Sequence, residues 1–122
     1  MALAKNIMQG GMSAGGAKAI NGSIATALTA AGTVIGDALD LNADTNVIGT
    51  CGSGAGVQLP SAEIGDSCEV YNGGANACKV YPEASGSTIN ALTAGAGFLL
   101  PINTACYARK ITATRWIAFL SA

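Results

Sequence analysis

Charged residues, aromatic residues and histidine are what this sequence has least of. Only 11% of its 122 residues are charged, 5% are aromatic, and histidine is absent. Typical soluble domains carry about 25% charged residues. Without histidine the chain cannot assemble an ordinary serine–histidine–acid triad. Without a cluster of lysines or arginines, a nucleic-acid interface has no electrostatic basis. These absences exclude the commonest hydrolase chemistry and disfavour a nucleic-acid partner.

No other motif supports an enzyme. The string from Gly11 to Gly15 matches G-x-S-x-G, but Ser13 has no histidine base and the flanking residues do not predict a strand followed by a helix. The glycines between Gly52 and Gly56 lack the spacing of a dinucleotide-binding loop. The scattered carboxylates do not follow the pattern of a calcium loop. We therefore expect no catalytic residue, no metal and no cofactor.

The four cysteines form no C-x-x-C pair, which disfavours a zinc site. Two interpretations remain open. The cysteines are either small buried apolar side chains or partners in disulfides formed after release from a reducing cytoplasm. One possible pairing joins Cys68 to Cys78 and Cys51 to Cys106, and the sequence does not choose among the alternatives. We predict at least one disulfide in the mature assembly, worth about 2–4 kcal/mol.

A membrane partner is not expected. The longest uncharged stretch, residues 84–108, is interrupted by serine, asparagine, glycine and proline, whereas a membrane span needs about 20 mostly apolar residues. The first residues lack a secretory pattern, because Lys5 stands alone and glycines interrupt the apolar residues. We expect synthesis in a cytoplasm.

Composition also predicts self-association. Half of the residues are hydrophobic and 17 are glycine. A surface with so little charge is poorly solvated in a free monomer. We therefore expect a homo-oligomer in which other subunits cover part of the surface.

The pattern divides the chain into two parts. Residues 1–23 are rich in glycine and lack periodicity, which predicts an extended arm that orders on a neighbour. Its Leu3, Ile7 and Met8 are candidate interface residues. Residues 24–122 are predicted to form one β domain. The single tryptophan, Trp116, is either a core residue or an interface anchor.

The stretch from Gly65 to Pro82 predicts a β-hairpin. Residues 68–71 and 78–81 alternate in step, and the glycines and asparagines between them favour a chain reversal. Cys68, Val70, Cys78 and Val80 then share an apolar face, with Val70 opposite Cys78.

Further β-rich runs are separated by turn residues, which favours an all-β fold, namely a single small antiparallel sandwich or barrel. The predicted strands lie at residues 24–29, 33–41, 47–51, 57–60, 88–92, 97–102, 106–111 and 115–120.

Two segments carry a resemblance to a known group of proteins. They are GDSCEVYNGGANACKVYPEASGSTINAL, from Gly65, and GFLLPINTACYARKITATRWIAFLSA, from Gly97; the earlier stretch ALTAAGTVIGDALDL also fits. Together they resemble small virion proteins of tailed bacteriophages, over residues 24–122. The cysteines occupy positions where that pattern is expected to be apolar.

The resemblance implies a structural function. It suggests a head-decoration (cement) protein that binds the major capsid protein in the virion as a symmetric oligomer, with a trimer expected. A tail or fibre module that binds a host surface ligand is the alternative. The resemblance supplies no catalytic residue.

Overall fold

The computed structural model describes residues 22–121, which form ten β-strands and one short 3-10 turn at Ile35–Asp37. The strands are β1 (Ile24–Thr29), β2 (Leu39–Asp40), β3 (Thr45–Thr50), β4 (Gly56–Gln58), β5 (Ser67–Asn72), β6 (Cys78–Tyr81), β7 (Thr88–Ile89), β8 (Phe98–Leu100), β9 (Thr104–Thr112) and β10 (Arg115–Leu120). The six-stranded sheet has the order β1-β3-β5-β9-β10-β7, and the four-stranded sheet has the order β2-β4-β6-β8. The predicted all-β class is confirmed.

The first six strands wind like a solenoid. Odd-numbered strands enter the large sheet, even-numbered strands enter the small one, and neighbours within each sheet run parallel. In the large sheet Ile24 lies beside Thr45, which lies beside Glu69. In the small sheet Leu39 lies beside Val57, which lies beside Val80. The chain therefore makes three stacked coils, each contributing one strand to each sheet.

The last strands close the final coil with mostly antiparallel pairing. β9 runs antiparallel to β5, and β10 runs antiparallel to β9. In the small sheet β8 runs antiparallel to β6, while β7 adds to β10 in parallel. The expected antiparallel sandwich or barrel is therefore wrong for the coiled half, where the pairing is parallel.

The core lies between the two sheets. Alternate residues of each strand point inward, so burial follows a period of two. Trp116 of β10 is the largest fully buried side chain. The other residues of the buried apolar cluster come from the strands of both sheets and from the segments next to them: Ala30, Leu41, Ile48, Cys51, Ala55, Val57, Leu59, Cys68, Val70, Cys78, Val80, Ile89, Leu100, Cys106 and Ala108.

The predicted hairpin is instead an arch between the two sheets. β5 belongs to the large sheet and β6 to the small one, and they are not hydrogen-bonded to each other. Val70 lies opposite Cys106 of β9, not opposite Cys78. The predicted apolar face is nevertheless confirmed, because Cys68, Val70, Cys78 and Val80 are all buried. The two strands face each other through these side chains across the core.

The side chains of the buried Asn72 and the half-buried Asn76 hold the arch. Asn72 Nδ2 donates to the carbonyls of Asn76 and Leu100, at 2.9 and 3.0 Å, and its Oδ1 accepts from Gly74 N at 3.0 Å. Asn76 Nδ2 donates to the Cys51 carbonyl at 2.9 Å. Gly74 must lack a side chain, since a Cβ there would lie 2.6 Å from Cys51 N. The arch is therefore tied to the preceding coil and to β8.

A second polar network crosses the core around Glu83, which follows β6. Its carboxylate accepts hydrogen bonds from Trp116 Nε1 and Ser87 Oγ. Lys110 Nζ lies 3.7 Å from Glu83 Oε2 and donates to the Ala62 carbonyl at 2.9 Å. The Lys110 and Glu83 side chains are only 11% and 10% exposed. Glu83 thus joins the loop after β6 to β9 and β10.

One predicted strand is replaced by a different structure. Residues 33–41 were expected to form a single strand, but they contain the 3-10 turn and the two-residue β2. Gly32 opens this segment with φ 72°, and a Cβ there would lie 2.4 Å from the Asp37 carbonyl oxygen. The backbone folds back on itself too tightly for an extended strand.

The predicted arm, residues 1–23, lies outside the described residues except for Gly22 and Ser23. Among residues 22–121, no helix is long and apolar enough to cross a membrane.

Candidate interaction surface

The outer face of the large sheet carries a group of apolar side chains, which we call the apolar patch: the exposed Tyr71, Tyr107 and Phe119, and the half-buried Ile117. Strand alternation places them there, because their neighbours Val70, Cys106, Ala108 and Trp116 point into the core. Tyr107 of β9 lies directly opposite Phe119 of β10. Tyr71 of β5 lies opposite Ala105, two residues from Tyr107. The patch therefore spans three adjacent strands.

The patch is accessible and has a polar rim. Phe119 is 60% exposed, and Tyr71 and Tyr107 are each 38% exposed. Glu69 lies opposite Tyr107, and Arg109 lies opposite Ile117. Thr45 Oγ1 donates to Glu69 Oε1 at 2.8 Å, which fixes this carboxylate at the border. An apolar centre with aromatic residues and a charged rim is the usual anatomy of a protein–protein interface.

A shallow hollow adjoins the patch. Its volume is about 250 Å³, and Glu69, Tyr107, Phe119 and Leu120 contribute to its walls. Leu120 is itself 46% exposed. The surface is thus not flat, and a partner side chain has a depression to enter.

Two polar clefts lie on either side of Pro60 and Ser61. They measure about 410 and 420 Å³. Asp40, Gln58 and Glu83 contribute to the first cleft. Asp44 and Asp66 contribute to the second. Amide, hydroxyl and carboxylate groups make up most of the polar lining, beside apolar residues such as Leu59 and Pro60, and such linings suit a polar ligand better than an apolar one.

The residues predicted from sequence lie elsewhere. Trp116 is fully buried, so it is a core residue and has no exposed surface with which to anchor a partner. Leu3, Ile7 and Met8 lie outside the described residues. Sequence reasoning did not single out Tyr71, Tyr107 or Phe119. A strand with one solvated face has polar residues at every second position. Between residues 105 and 120, apolar residues occur at both sets of alternate positions, and this was the sequence signal that indicated an apolar outer face.

All four cysteines are buried and carry free thiols in this structure. Cys51 and Cys106 both lie near Cys78, since both contribute to raising the pKa of its thiol. Cys68 and Cys106 are neighbours on the inner face of β5 and β9, since Val70 pairs with Cys106. The predicted disulfide stays a prediction, and its pairing stays open.

Burial changes the acidity of these thiols. Desolvation is the main cause that raises the pKa of Cys68, Cys78 and Cys106 to about 12 each. Nearby Cys106 and Asp44 raise the pKa of Cys68 further, and nearby Cys51 does so for Cys78. Since the thiolate is the reactive form, these side chains are inert in the folded protein.

The raised thiol pKa values predict an alkaline limit to stability. A thiol whose pKa is higher in the folded state contributes stability that is complete below the unfolded pKa, near 9, and is lost as pH rises towards 12. In reductant, the unfolding free energy should therefore be lower at pH 10.5 than at pH 8. Urea titrations at both values test this. The Cys68→Ala variant, although weaker overall, should show a smaller pH dependence, and an unchanged slope would contradict the assignment.

Among residues 22–121, no group of three or more histidine, cysteine, aspartate or glutamate side chains is placed to hold a metal ion. The surface features of the described residues are thus the apolar patch on the large sheet and the polar clefts beside Pro60.

No family model, curated protein or solved structure matches this chain.

Proposed function

We propose that this protein is a structural component of a tailed-phage virion that binds the major capsid protein on the outer capsid surface as a homotrimer. The observation that carries the proposal is the apolar patch on the large sheet, in a chain of which only 11% of residues are charged. The sequence resemblance to decoration proteins supports the same interpretation.

The patch suits a permanent contact. Tyrosine and phenylalanine are enriched in interfaces and contribute much of their energy. Because the patch lies on three hydrogen-bonded strands, little backbone entropy is lost when a partner orders it. We infer that the patch mediates the contact between copies of this chain.

Attachment to a capsid would stabilise it by mass action. A protein that binds the assembled lattice and not the free capsid subunits stabilises the assembled state. No catalysis is required for this function, and the proposal assigns none.

The Phe119→Asp variant tests the patch. We expect the wild type to sediment as an oligomer at micromolar concentration, and the variant as a monomer of 12.0 kDa, because a buried unpaired carboxylate is costly in an interface. Leu99→Asp is the matched control, since Leu99 is 57% exposed on the outer face of the small sheet. A monomeric wild type, or equal dissociation by both variants, would contradict the role of the patch.

A tail or fibre module that binds a host surface ligand is the second candidate. The two polar clefts beside Pro60 and Ser61 favour it, because they offer hydrogen-bonding groups to a polar ligand such as a glycan. Electron microscopy of particles with and without the protein separates the two candidates. Added density on the capsid lattice supports decoration, whereas density confined to the tail supports the module.

A further inference from the structure

The large sheet ends on one side in a very short strand. β7 runs parallel to β10, but only two residues of each strand pair, the last of them Ile89 with Trp116. The chain then turns away from the sheet, because Asn90 has φ 54° and Leu92 N donates to the Ile89 carbonyl at 3.1 Å. Among the described residues, β7 is the last strand on this side. The second half of β10 is therefore an edge that no described strand covers.

The side chain of Asn90 continues the ladder where β7 stops. Asn90 N donates to the Trp116 carbonyl at 2.9 Å, as in any parallel pair. One step further along β10, Ala118 N donates to Asn90 Oδ1 at 2.9 Å, and Asn90 Nδ2 donates to the Ala118 carbonyl at 3.2 Å. A longer β7 would make these two bonds with the backbone carbonyl of residue 90 and the backbone N–H of residue 92. One side-chain amide thus replaces two backbone groups.

The left-handed backbone of Asn90 frees its side chain for this contact. Asparagine adopts such a conformation several times more often than other residues with a side chain. The turn also directs the Asn90 carbonyl away from Ala118 and towards Arg115, whose Nη2 donates to it at 2.9 Å. Because the backbone carbonyl is used elsewhere, the side-chain oxygen is the acceptor that remains for Ala118 N.

The sequence of β10 makes an open edge hazardous. Residues 116–120 read WIAFL, an apolar run without charge or proline. Segments with high β-propensity, low charge and no proline are prone to pair with other chains when they lie on an exposed edge. Phe119 and Leu120 are both exposed at the end of this strand. Natural proteins shorten or cover such edges.

A second copy of β10 fits the edge that the Asn90 amide covers. Ala118 and Leu120 direct their N–H and C=O groups to this edge, since the alternate residues bond to β9. Two antiparallel copies can place Ala118 of each opposite Leu120 of the other, so that both pairs exchange hydrogen bonds. In this register the Arg115 side chains of the two copies do not lie opposite each other. When the Asn90 amide is in place, Ala118 is occupied and the pairing is reduced to Leu120.

We propose that Asn90 closes the edge of β10 to the same strand of a second copy, and so prevents edge-to-edge association of this protein. The partner that the uncovered edge accepts is an extended apolar strand, and β10 itself is the one examined in the test. The proposal is independent of the proposed function, because it concerns a sheet edge and not the apolar patch on the sheet face.

Asn90→Gly and Asn103→Gly form a matched pair. The two residues have φ 54° and 61°, so glycine fits both positions without strain. Asn103 is exposed in the turn before β9, away from the edge of β10. At micromolar concentration we expect Asn90→Gly to sediment as assemblies larger than those of the wild type, with thioflavin T fluorescence at least about tenfold higher. Asn103→Gly should match the wild type. Equal behaviour of the two variants would overturn the proposal.

Leu120→Pro separates edge pairing from a loss of stability. Proline at this position removes an N–H that faces the open edge, and proline is tolerated on the outer side of an edge strand. In the Asn90→Gly background, we expect this second change to return the large assemblies to the size of the wild type. Assemblies that persist in the double variant would arise from unfolded chains and would overturn the proposal.

Hydrogen exchange at low concentration tests the cover itself. In Asn90→Gly the Ala118 amide should exchange at least about tenfold faster than in the wild type, because its acceptor is gone. The Phe119 amide, which faces β9, should stay protected and shows that the sheet is intact. An Ala118 amide that exchanges at the same rate in both proteins would show that Asn90 does not close the edge.

Discussion

Replacing Glu83 with alanine is expected to lower the free energy of unfolding by about 3–5 kcal/mol, the cost of breaking a buried ion pair on one side. The substitution leaves the Lys110 ammonium, the Trp116 indole N–H and the Ser87 hydroxyl without their shared acceptor. Because both side chains of the pair are nearly buried, water replaces little of what is lost. The melting temperature should fall by roughly 10 °C or more.

Two variants calibrate this result. Glu63→Ala removes a carboxylate from an exposed position and should change the unfolding free energy by less than about 0.5 kcal/mol. Glu83→Gln keeps an oxygen acceptor and should fall between the two. Urea denaturation followed by the fluorescence of Trp116 measures all three. If Glu83→Ala is no more harmful than Glu63→Ala, the network does not hold the loop after β6 to the large sheet.

Replacing Asn72 with alanine is expected to cost about 2–4 kcal/mol, because the substitution leaves buried backbone groups without hydrogen-bond partners. Asn72 is fully buried, and its side chain serves the Asn76 and Leu100 carbonyls and the Gly74 amide. Asn72→Asp should lose at least as much, since it buries a carboxylate and turns an acceptor oxygen towards the Asn76 and Leu100 carbonyls, to which Nδ2 now donates.

Asn42→Ala is the control, because Asn42 is exposed. Guanidinium denaturation, monitored by the far-ultraviolet circular dichroism of the β-sheets, compares the three variants. A loss for Asn72→Ala no larger than that for Asn42→Ala would show that the arch is not organised by this side chain.

Local strand positions were largely predictable from sequence. The predicted runs 24–29, 78–81 and 115–120 coincide with β1, β6 and β10, and the inward face of β5 and β6 was also predicted. These features depend on a period of two and on turn residues, which are local properties of the chain.

Strand pairing was not predictable in the same way. A hairpin and an arch both place the same alternate residues on one apolar side, here Cys68, Val70, Cys78 and Val80. The sequence pattern is therefore the same for the two structures. In a hairpin the two strands are hydrogen-bonded to each other, whereas in an arch they belong to different sheets that face each other across the core. That choice depends on Asn72 and Asn76, whose side chains replace the turn hydrogen bonds of a hairpin.

The candidate site shows the same limit. The apolar patch joins Tyr71 to Tyr107 and Phe119, and the contact depends on β9 lying between β5 and β10. The resemblance to virion proteins pointed to a structural function without indicating a surface. Trp116 was a reasonable anchor by residue type, but the inward phase of β10 buries it.

The coils stack in the order in which they are synthesised. A ribosome releases the coils in the sequence in which they stack, so β1 to β4 can pair while the later strands are still being made. The core layer contributed by Cys106, Ala108 and Trp116 arrives last, and the Glu83 carboxylate meets Lys110 only then. Nascent chains that stop before β9 therefore expose the part of the core that Cys106, Ala108 and Trp116 later cover. Translational pausing in this region would lengthen the interval in which the protein is open to proteases and chaperones.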